Sequence, residues 1–209
     1  FFLTGTHWIS HSLTFDESFK FLIPIAIIGL PLFLGIFFGL ANLTVGPFLQ
    51  NNFISILLFV SSYALMDYFR GNFFSGFPWN TWAYTWSWSP EILQPLFYIG
   101  FYSFNLFCIF FYCIPLLLIF RKRTYYIIFF LSSLIFFSNY IYGLSIIKKN
   151  NENLTNLKTK FKNTIYTKII SPNFELKYNL SNIDIGKNIS RLIKYSDPEA
   201  NKKTLFIWP

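Results

Sequence analysis

Few side chains in this chain of 209 residues can take part in acid–base, nucleophilic or metal chemistry, and their spacing limits what they can do. His7 and His11 are four apart and would share one face of an α-helix as metal ligands, but no carboxylate or thiolate nearby completes a set. Polar packing at a helix end is the expected role, and no metal site or cofactor is assigned. Cys108 and Cys113 are five apart, on different faces of a helix, and buried cysteine commonly serves as a small apolar residue. Asp67 and Arg70 are three apart at the end of an apolar run, so they can pair on one face and lower the cost of charge near hydrocarbon. Structural pairing is their default role, and holding a phospholipid headgroup is the functional alternative.

The most informative stretch runs from Phe69 to Trp88 and holds four of the six tryptophans, Trp79, Trp82, Trp86 and Trp88. Amphipathic rings favour headgroup depth, which makes an anchoring aromatic belt the plain reading. Gly71, Gly76 and Pro78 add turn chemistry that a belt does not require, which points to a shaped, lipid-facing loop. Gly35 and Gly39 fit the small-xxx-small pattern of close helix approach, a common and weak motif. Glycosylation tripeptides begin at Asn42, Asn153, Asn179 and Asn188, a chance outcome in an Asn-rich chain.

The elements that carry these residues follow from composition. The chain is 54% hydrophobic, 23% aromatic and only 12% charged, too little polar surface to cover a soluble globule. Two cysteines cannot build a disulfide scaffold, and 29 Phe, 13 Tyr and 6 Trp exclude disorder. Residues 21–41 are uncharged and would span about 31 Å as a helix, the thickness of a bilayer core. Residues 53–69, 92–120 and 124–147 are the other expected spans, and residues 1–13 read as the last turns of a further, partial helix. Pro24, Pro31 and Pro115 are expected to kink these helices rather than end them. Arg121-Lys122-Arg123 leaves so little chain between the last two spans that they must form an antiparallel hairpin. Positive charges near the loops are too evenly divided to fix orientation.

Charge separates this membrane domain, 1–147, from the rest of the chain. Five basic and four acidic side chains lie in residues 1–147, against twelve and five in residues 148–209. The basic tail scatters its lysines among Asn, Ser and Thr without a nucleic-acid-binding module, so no nucleic acid is expected and a solvated surface near anionic headgroups is. Residues 148–163 read as a polar linker. In 164–209, apolar spacing predicts a strand ending at Pro172, a helix around 185–195 and a second strand at 204–208, the opening of an α/β domain. The chain starts Phe1-Phe2 and stops at Trp208-Pro209 inside that strand, so both ends are expected to be cut.

Four blocks, in order, resemble the bacterial apolipoprotein N-acyltransferase family. Thr4 to Leu13 (TGTHWISHSL) is similar to its G-x-x-W-x-x-x-S helix end, and Arg70 to Trp79 (RGNFFSGFPW) to its R-G-x-x-x-[ST]-G-F-P-W loop. Ile169 to Asn173 stands where the family opens a nitrilase-like domain with a V-Q-G-N-type strand end, Ser171-Pro172 replacing Gln-Gly. Leu205 to Pro209 (LFIWP) is similar to the strand written there as [LI]-[IV]-[IVF]-W-P-E. The resemblance implies a polytopic α-helical membrane domain followed by the truncated start of a nitrilase-like α/β/β/α domain. The Arg121–Arg123 hairpin would be cytoplasmic, and the Trp-rich loop and the residues after 147 periplasmic, in the bacterial inner membrane.

It also implies an activity. In the family a cysteine takes an acyl chain from a phospholipid as a thioester and passes it to the α-amine of a diacylglyceryl-modified apolipoprotein, with a glutamate as general base and a lysine at the oxyanion. That glutamate follows W-P, so no catalytic residue is expected before Pro209 and the fragment alone is expected to be inactive. The residues expected to face lipid or lipoprotein are Arg70, Gly76, Phe77, Pro78 and Trp79, with Lys177 and Tyr178. The family carries a tryptophan where Tyr178 stands, and tyrosine keeps a stacking surface. A transporter or channel is the alternative from another class, although such proteins place ionisable groups at mid-membrane. A membrane-anchored nitrilase-like amidase or a noncatalytic scaffold is the third, distinguished by whether phospholipid is consumed.

Overall fold

A computed structural model describes residues 1–74, 76–160, 165–174, 180–199 and 202–208, with side chains in the 76–160 segment up to Leu157. The chain divides into two compact units, Phe1–Lys149 and Asn150–Pro209.

The first unit begins with α1 (Phe2–Thr6), which passes into a 3-10 helix, His7–Thr14, rather than continuing as the α-helix end expected of residues 1–13. Hydroxyls drive this tightening. Ser10, Ser12 and Thr14 donate to the carbonyls three residues earlier, of His7, Ile9 and His11. A second 3-10 turn, Glu17–Leu22, starts at Asp16, whose carboxylate accepts the Ser18 N–H at 2.9 Å. It leads into α2 (Ile23–Val45), which carries Pro24 in its first turn, where no hydrogen bond is lost, and Pro31 in its interior. Ile25, Ile28, Leu32, Ile36 and Leu43 on α2 are exposed, while Leu34, Phe37 and Ala41 are buried, as expected of a helix with one face to lipid.

Asn52 caps α3 (Phe53–Asn72) by accepting the Ser55 N–H at 2.8 Å. The third span starts later than its apolar run suggests. Residues 89–95 form turns closed by i to i+3 bonds, α4 (Leu96–Ile99) is a single helical turn, and α5 (Phe101–Cys113) begins only after Gly100. Gly100 has φ 74°, which a residue with a Cβ rarely adopts, so a continuous helix from Ile92 is excluded. Pro115 interrupts the α-helical bonding between α5 and α6 (Leu116–Ile119), but Ile114 and Pro115 keep right-handed helical angles, so Phe101–Ile119 continues as one span through the proline, as expected.

Arg121, at φ 50°, turns the chain into α7 (Arg123–Lys160). Partners on the preceding segments fall in number as α7 rises: Tyr125 packs on Phe120, Phe136 stacks on Phe111 at 3.8 Å, and Asn139 Nδ2 donates to Ile92 O at 3.1 Å. The last two spans are therefore an antiparallel hairpin. The expected polar linker is helical through Lys160, while 161–163 lie outside the described residues. A formed helix adds a hydrogen bond for each residue it orders, so Lys148 to Lys160, with no Pro or Gly, extends it without an apolar face. Among the described residues, four helical segments are long and apolar enough to cross a membrane: Glu17–Phe48, Phe53–Asn72, Phe101–Ile119 and Arg123–Leu157.

In the second unit β1 (Tyr166–Ile169) and β2 (Thr204–Ile207) pair in parallel, Tyr166 opposite Thr204 and Ile169 opposite Ile207, across α8 (Asn182–Ser196). Ser181 caps α8 through the Asp184 N–H, and Asp197 ends it in the left-handed region. Ser196 ties the three elements together, its carbonyl accepting from Lys168 Nζ at 3.0 Å and its hydroxyl from Trp208 Nε1 at 3.0 Å.

Candidate functional site

The last two turns of α3 place Asp67 and Arg70 on one face, and both side chains are completely buried. Arg70 Nη2 donates to Asp67 Oδ1 at 2.8 Å. Its other terminal nitrogen, Nη1, donates to two backbone carbonyls, Phe77 O at 2.8 Å and Trp79 O at 2.6 Å. The Arg70 carbonyl in turn accepts the Phe77 N–H at 2.8 Å. The guanidinium also lies over the rings of Phe2 and Phe77, 5.3 and 5.9 Å from their centroids. Arg70 thus faces the protein and not lipid, which corrects the sequence expectation. A planar fork reaches two carbonyls and a carboxylate at once, and this chain uses it to shape a loop.

Burying such a pair is costly, and the segment just beyond it in the chain supplies the reason. Residues 82–86 form a 3-10 helix that turns inward: Trp82 packs on the core of Ile56, Val60, Ile109 and Leu117. Trp86 stacks on Tyr112, about 16 Å along α5 from Phe101, and lies 4.9 Å from Phe136. Non-helical backbone at membrane depth survives only where protein groups satisfy it. Arg70 does this for Phe77 and Trp79. Asn105 of α5 does it for Ala83, accepting its N–H at 3.0 Å through Oδ1 while donating from Nδ2 to Asp67 Oδ2 at 2.8 Å. Asn105 was not singled out by sequence reasoning, although a lone amide in the apolar run FYSFNLFCIFF was a signal available to it.

The loop's other residues divide between fixing and presenting. Gly76 has φ 73°, and a Cβ there would lie 2.6 Å from Gly71 O, so it makes the turn that returns the chain to Arg70. Gly76→Ala is expected to cost about 1–2 kcal/mol for the left-handed conformation alone; an unchanged unfolding midpoint in detergent micelles would contradict this. Phe77 and Pro78 are half-buried, and Trp79 is exposed, its ring against Trp8 at 5.5 Å and Phe77 at 5.6 Å. Phe74, Tyr84 and Trp88 are also exposed. The stretch is therefore neither a simple belt nor wholly lipid-facing: one set of its rings fills the bundle and the other is presented outward. Lys177 and Tyr178 lie outside the described residues.

An apolar groove of about 550 Å³ opens beside this loop, lined among others by Phe2, Ile28, Leu32, Gly35, Phe38 and Trp82. A Cβ at Gly35 or Gly39 would meet nothing within 4 Å, so these glycines leave space rather than mediating a close helix contact. His7 and His11 lie on a 3-10 helix, where four residues turn the chain about 120° past a full turn, so they do not share a face. His7 Nδ1 bonds Thr4 O at 2.9 Å and the His11 ring packs on Phe15. Cys108 is buried in the core with Phe104 and Phe136, and Cys113 is half-buried. The arrangement is suited to binding and orienting an apolar chain.

The family described as the apolipoprotein N-acyltransferase N-terminal domain matches residues 1–114. The apolipoprotein N-acyltransferase of Rickettsia prowazekii is 31% identical over 161 residues, covering 76% of this chain and 32% of that protein. That of Rhizobium etli is 35% identical over 101 residues, 48% of this chain and 19% of the relative, and that of Brucella melitensis 31% over 119 residues, 56% and 22%. The chain spans about a third or less of the length of these curated relatives. No solved structure matches it at a significant level.

Proposed function

Because this chain belongs to the apolipoprotein N-acyltransferase family, we propose that it forms the front part of an enzyme that moves a fatty acyl chain from a phospholipid to the N-terminal diacylglyceryl-cysteine of lipoproteins. In this reading residues 1–147 are the membrane domain that receives the acyl donor, and the unit built on β1, α8 and β2 opens a nitrilase-like domain. The Arg121–Arg123 turn is cytoplasmic, and the loop with Trp79 and the second unit are periplasmic, in the inner membrane of a bacterium. The partners are the phospholipid donor, the diacylglyceryl-modified apolipoprotein and the membrane itself.

One observation carries this reading: a buried ion pair that holds an aromatic loop beside an apolar groove, within the residues the family matches. The groove suits an acyl chain, and Phe77, Pro78 and Trp79, with Gly76 at the turn, suit the glycerol and headgroup region. Lys177 and Tyr178 belong to the lipoprotein side of the same reading. A cysteine thiolate attacks the donor ester and expels lysophospholipid; the lipoprotein amine then attacks the thioester, forming the amide and regenerating the thiol. Cys108 and Cys113 lie in α5, turned into the bundle, and are not that nucleophile. A transporter is less well supported, since Asp67 and Arg70 bond to each other and to the loop instead of lining a path.

The reaction is tested with the full-length protein, a phospholipid carrying an isotope-labelled acyl chain and a diacylglyceryl-cysteine peptide. Mass spectrometry is expected to find the label as an amide on the peptide α-amine, with lysophospholipid formed in equal amount. Label that stays on phospholipid, or peptide hydrolysis without acyl transfer, would sink the reading.

A further inference from the structure

Asn105 is fully buried in α5, between the carboxylate of Asp67 and the backbone of the inward-turned 82–86 segment. The two neighbours make opposite demands. Asp67 Oδ2 needs a donor, and the Ala83 N–H needs an acceptor. A primary amide supplies one from each end, and only one of its two orientations satisfies both. Aspartate here would set a second carboxylate against the first, and leucine would leave an N–H without a partner inside the bundle. The α3 ion pair, α5 and the loop therefore meet through this one side chain.

We propose that Asn105 is a positioning residue for acyl-donor binding, its amide coupling the Asp67–Arg70 pair to the Trp82–Trp86 segment and so setting where Phe77, Trp79 and Trp82 meet the donor. The inference rests on the acyltransferase reading and adds to it a residue and a role. The stretch from Phe77 to Ala83 is held at two points, by Arg70 through Phe77 O and Trp79 O and by Asn105 through Ala83 N, and both holds converge on the two oxygens of Asp67. Trp82 lines the groove and lies one residue from the Ala83 hold. Releasing Ala83 moves a groove wall while leaving the α2–α3–α5 packing in place.

The test exchanges the two side chains. Asn105→Asp alone puts two carboxylates beside one guanidinium. Asp67→Asn combined with Asn105→Asp restores one charge, and every hydrogen bond can re-form with the roles reversed: position 67 donates its amide to position 105 and accepts from Arg70, and position 105 accepts from Ala83. In the full-length protein, Asn105→Asp is expected to raise the phospholipid KM about tenfold, as loss of a hydrogen bond to a charged group implies. The KM for the diacylglyceryl peptide should be unchanged, which a general loss of folding would not produce. A cysteine placed at the buried Ala83 should be labelled faster by a maleimide, read by mass mapping of its peptide. The exchange variant should return both readouts toward their starting values.

Unchanged donor KM and labelling in Asn105→Asp, or an exchange variant as impaired as the single one, would overturn the proposal. Should Asn105→Asp fail to accumulate, recovery of accumulation and donor KM by the exchange variant supports it, and failure to recover overturns it. If the unsubstituted protein transfers no acyl group, the functional reading falls by itself. The Ala83→Cys labelling, with and without the exchange, then still decides whether Asn105 holds the segment.

Discussion

An Arg70→Met variant is expected to lose about 3–5 kcal/mol of stability, the range for removing one partner of a buried ion pair. Three acceptors lose their donor together: Asp67 Oδ1, Phe77 O and Trp79 O. Asp67 is fully buried, so its oxygen has no water to turn to. Arg70→Lys is expected to rescue little, because one ammonium cannot reproduce the fork that reaches a carboxylate on its own helix and two carbonyls on the loop. The double variant Asp67→Leu/Arg70→Met separates two explanations. Buried pairs replaced by apolar residues are often neutral or stabilising, so a mere ion pair would leave the double variant close to the parent. Since Arg70 also caps the loop, the double variant is expected to stay destabilised. Thermal unfolding in detergent micelles, followed by tryptophan fluorescence, measures all three. A double variant as stable as the parent would show that the loop carbonyls do not depend on Arg70.

The same network shows what the sequence could and could not convey. Hydropathy located the spans because a run of some twenty apolar residues has few alternatives in a bilayer. It misplaced the start of the third, at Ile92, since Ile92 and Leu93 in a turn and Leu96 and Phe97 in the one-turn helix α4 are as apolar as they would be in a span; the decisive residue was Gly100, whose positive φ leaves no hydropathic trace. Pairing of Asp67 with Arg70 followed from their i, i+3 spacing. Its other bonds did not, because Phe77 O and Trp79 O are backbone atoms, and Asn105 lies far off in sequence. The aromatic content of 69–88 signalled an interface, yet Trp82 and Trp86 turn inward while Trp79 and Trp88 turn out, a division composition cannot carry. In the second unit the strand, helix and strand were legible from apolar period, whereas the parallel register rests on pairing across α8.

A Gly143→Ala substitution should be the second most damaging, although helix propensity alone predicts the opposite. Alanine in a helix interior is better than glycine by about 1 kcal/mol, and Gly143 lies within α7. But a Cβ there would stand 2.0 Å from Glu91 O and 2.6 Å from Glu91 C, backbone atoms that cannot swing away. Either α7 retreats or the 89–92 turn does, and with it the bond from Asn139 Nδ2 to Ile92 O. Overpacking against backbone is expected to outweigh propensity and leave a net loss of about 3 kcal/mol. Gly35→Ala provides the control, because its Cβ would meet nothing within 4 Å, so propensity alone should act and stability should hold or rise. Equal behaviour of the two variants would mean that the α7 contact is not a constraint. If they diverge as expected, the inward segment is fastened at both ends, by Arg70 where the chain enters and by the Gly143 contact where it leaves. The Trp86–Phe136 packing between those points should then change in Gly143→Ala and not in Gly35→Ala, seen as a shift in tryptophan emission. A loop so fixed presents Phe77 and Trp79 from a rigid base, which the proposed acyl-donor role requires and mere anchoring in lipid does not.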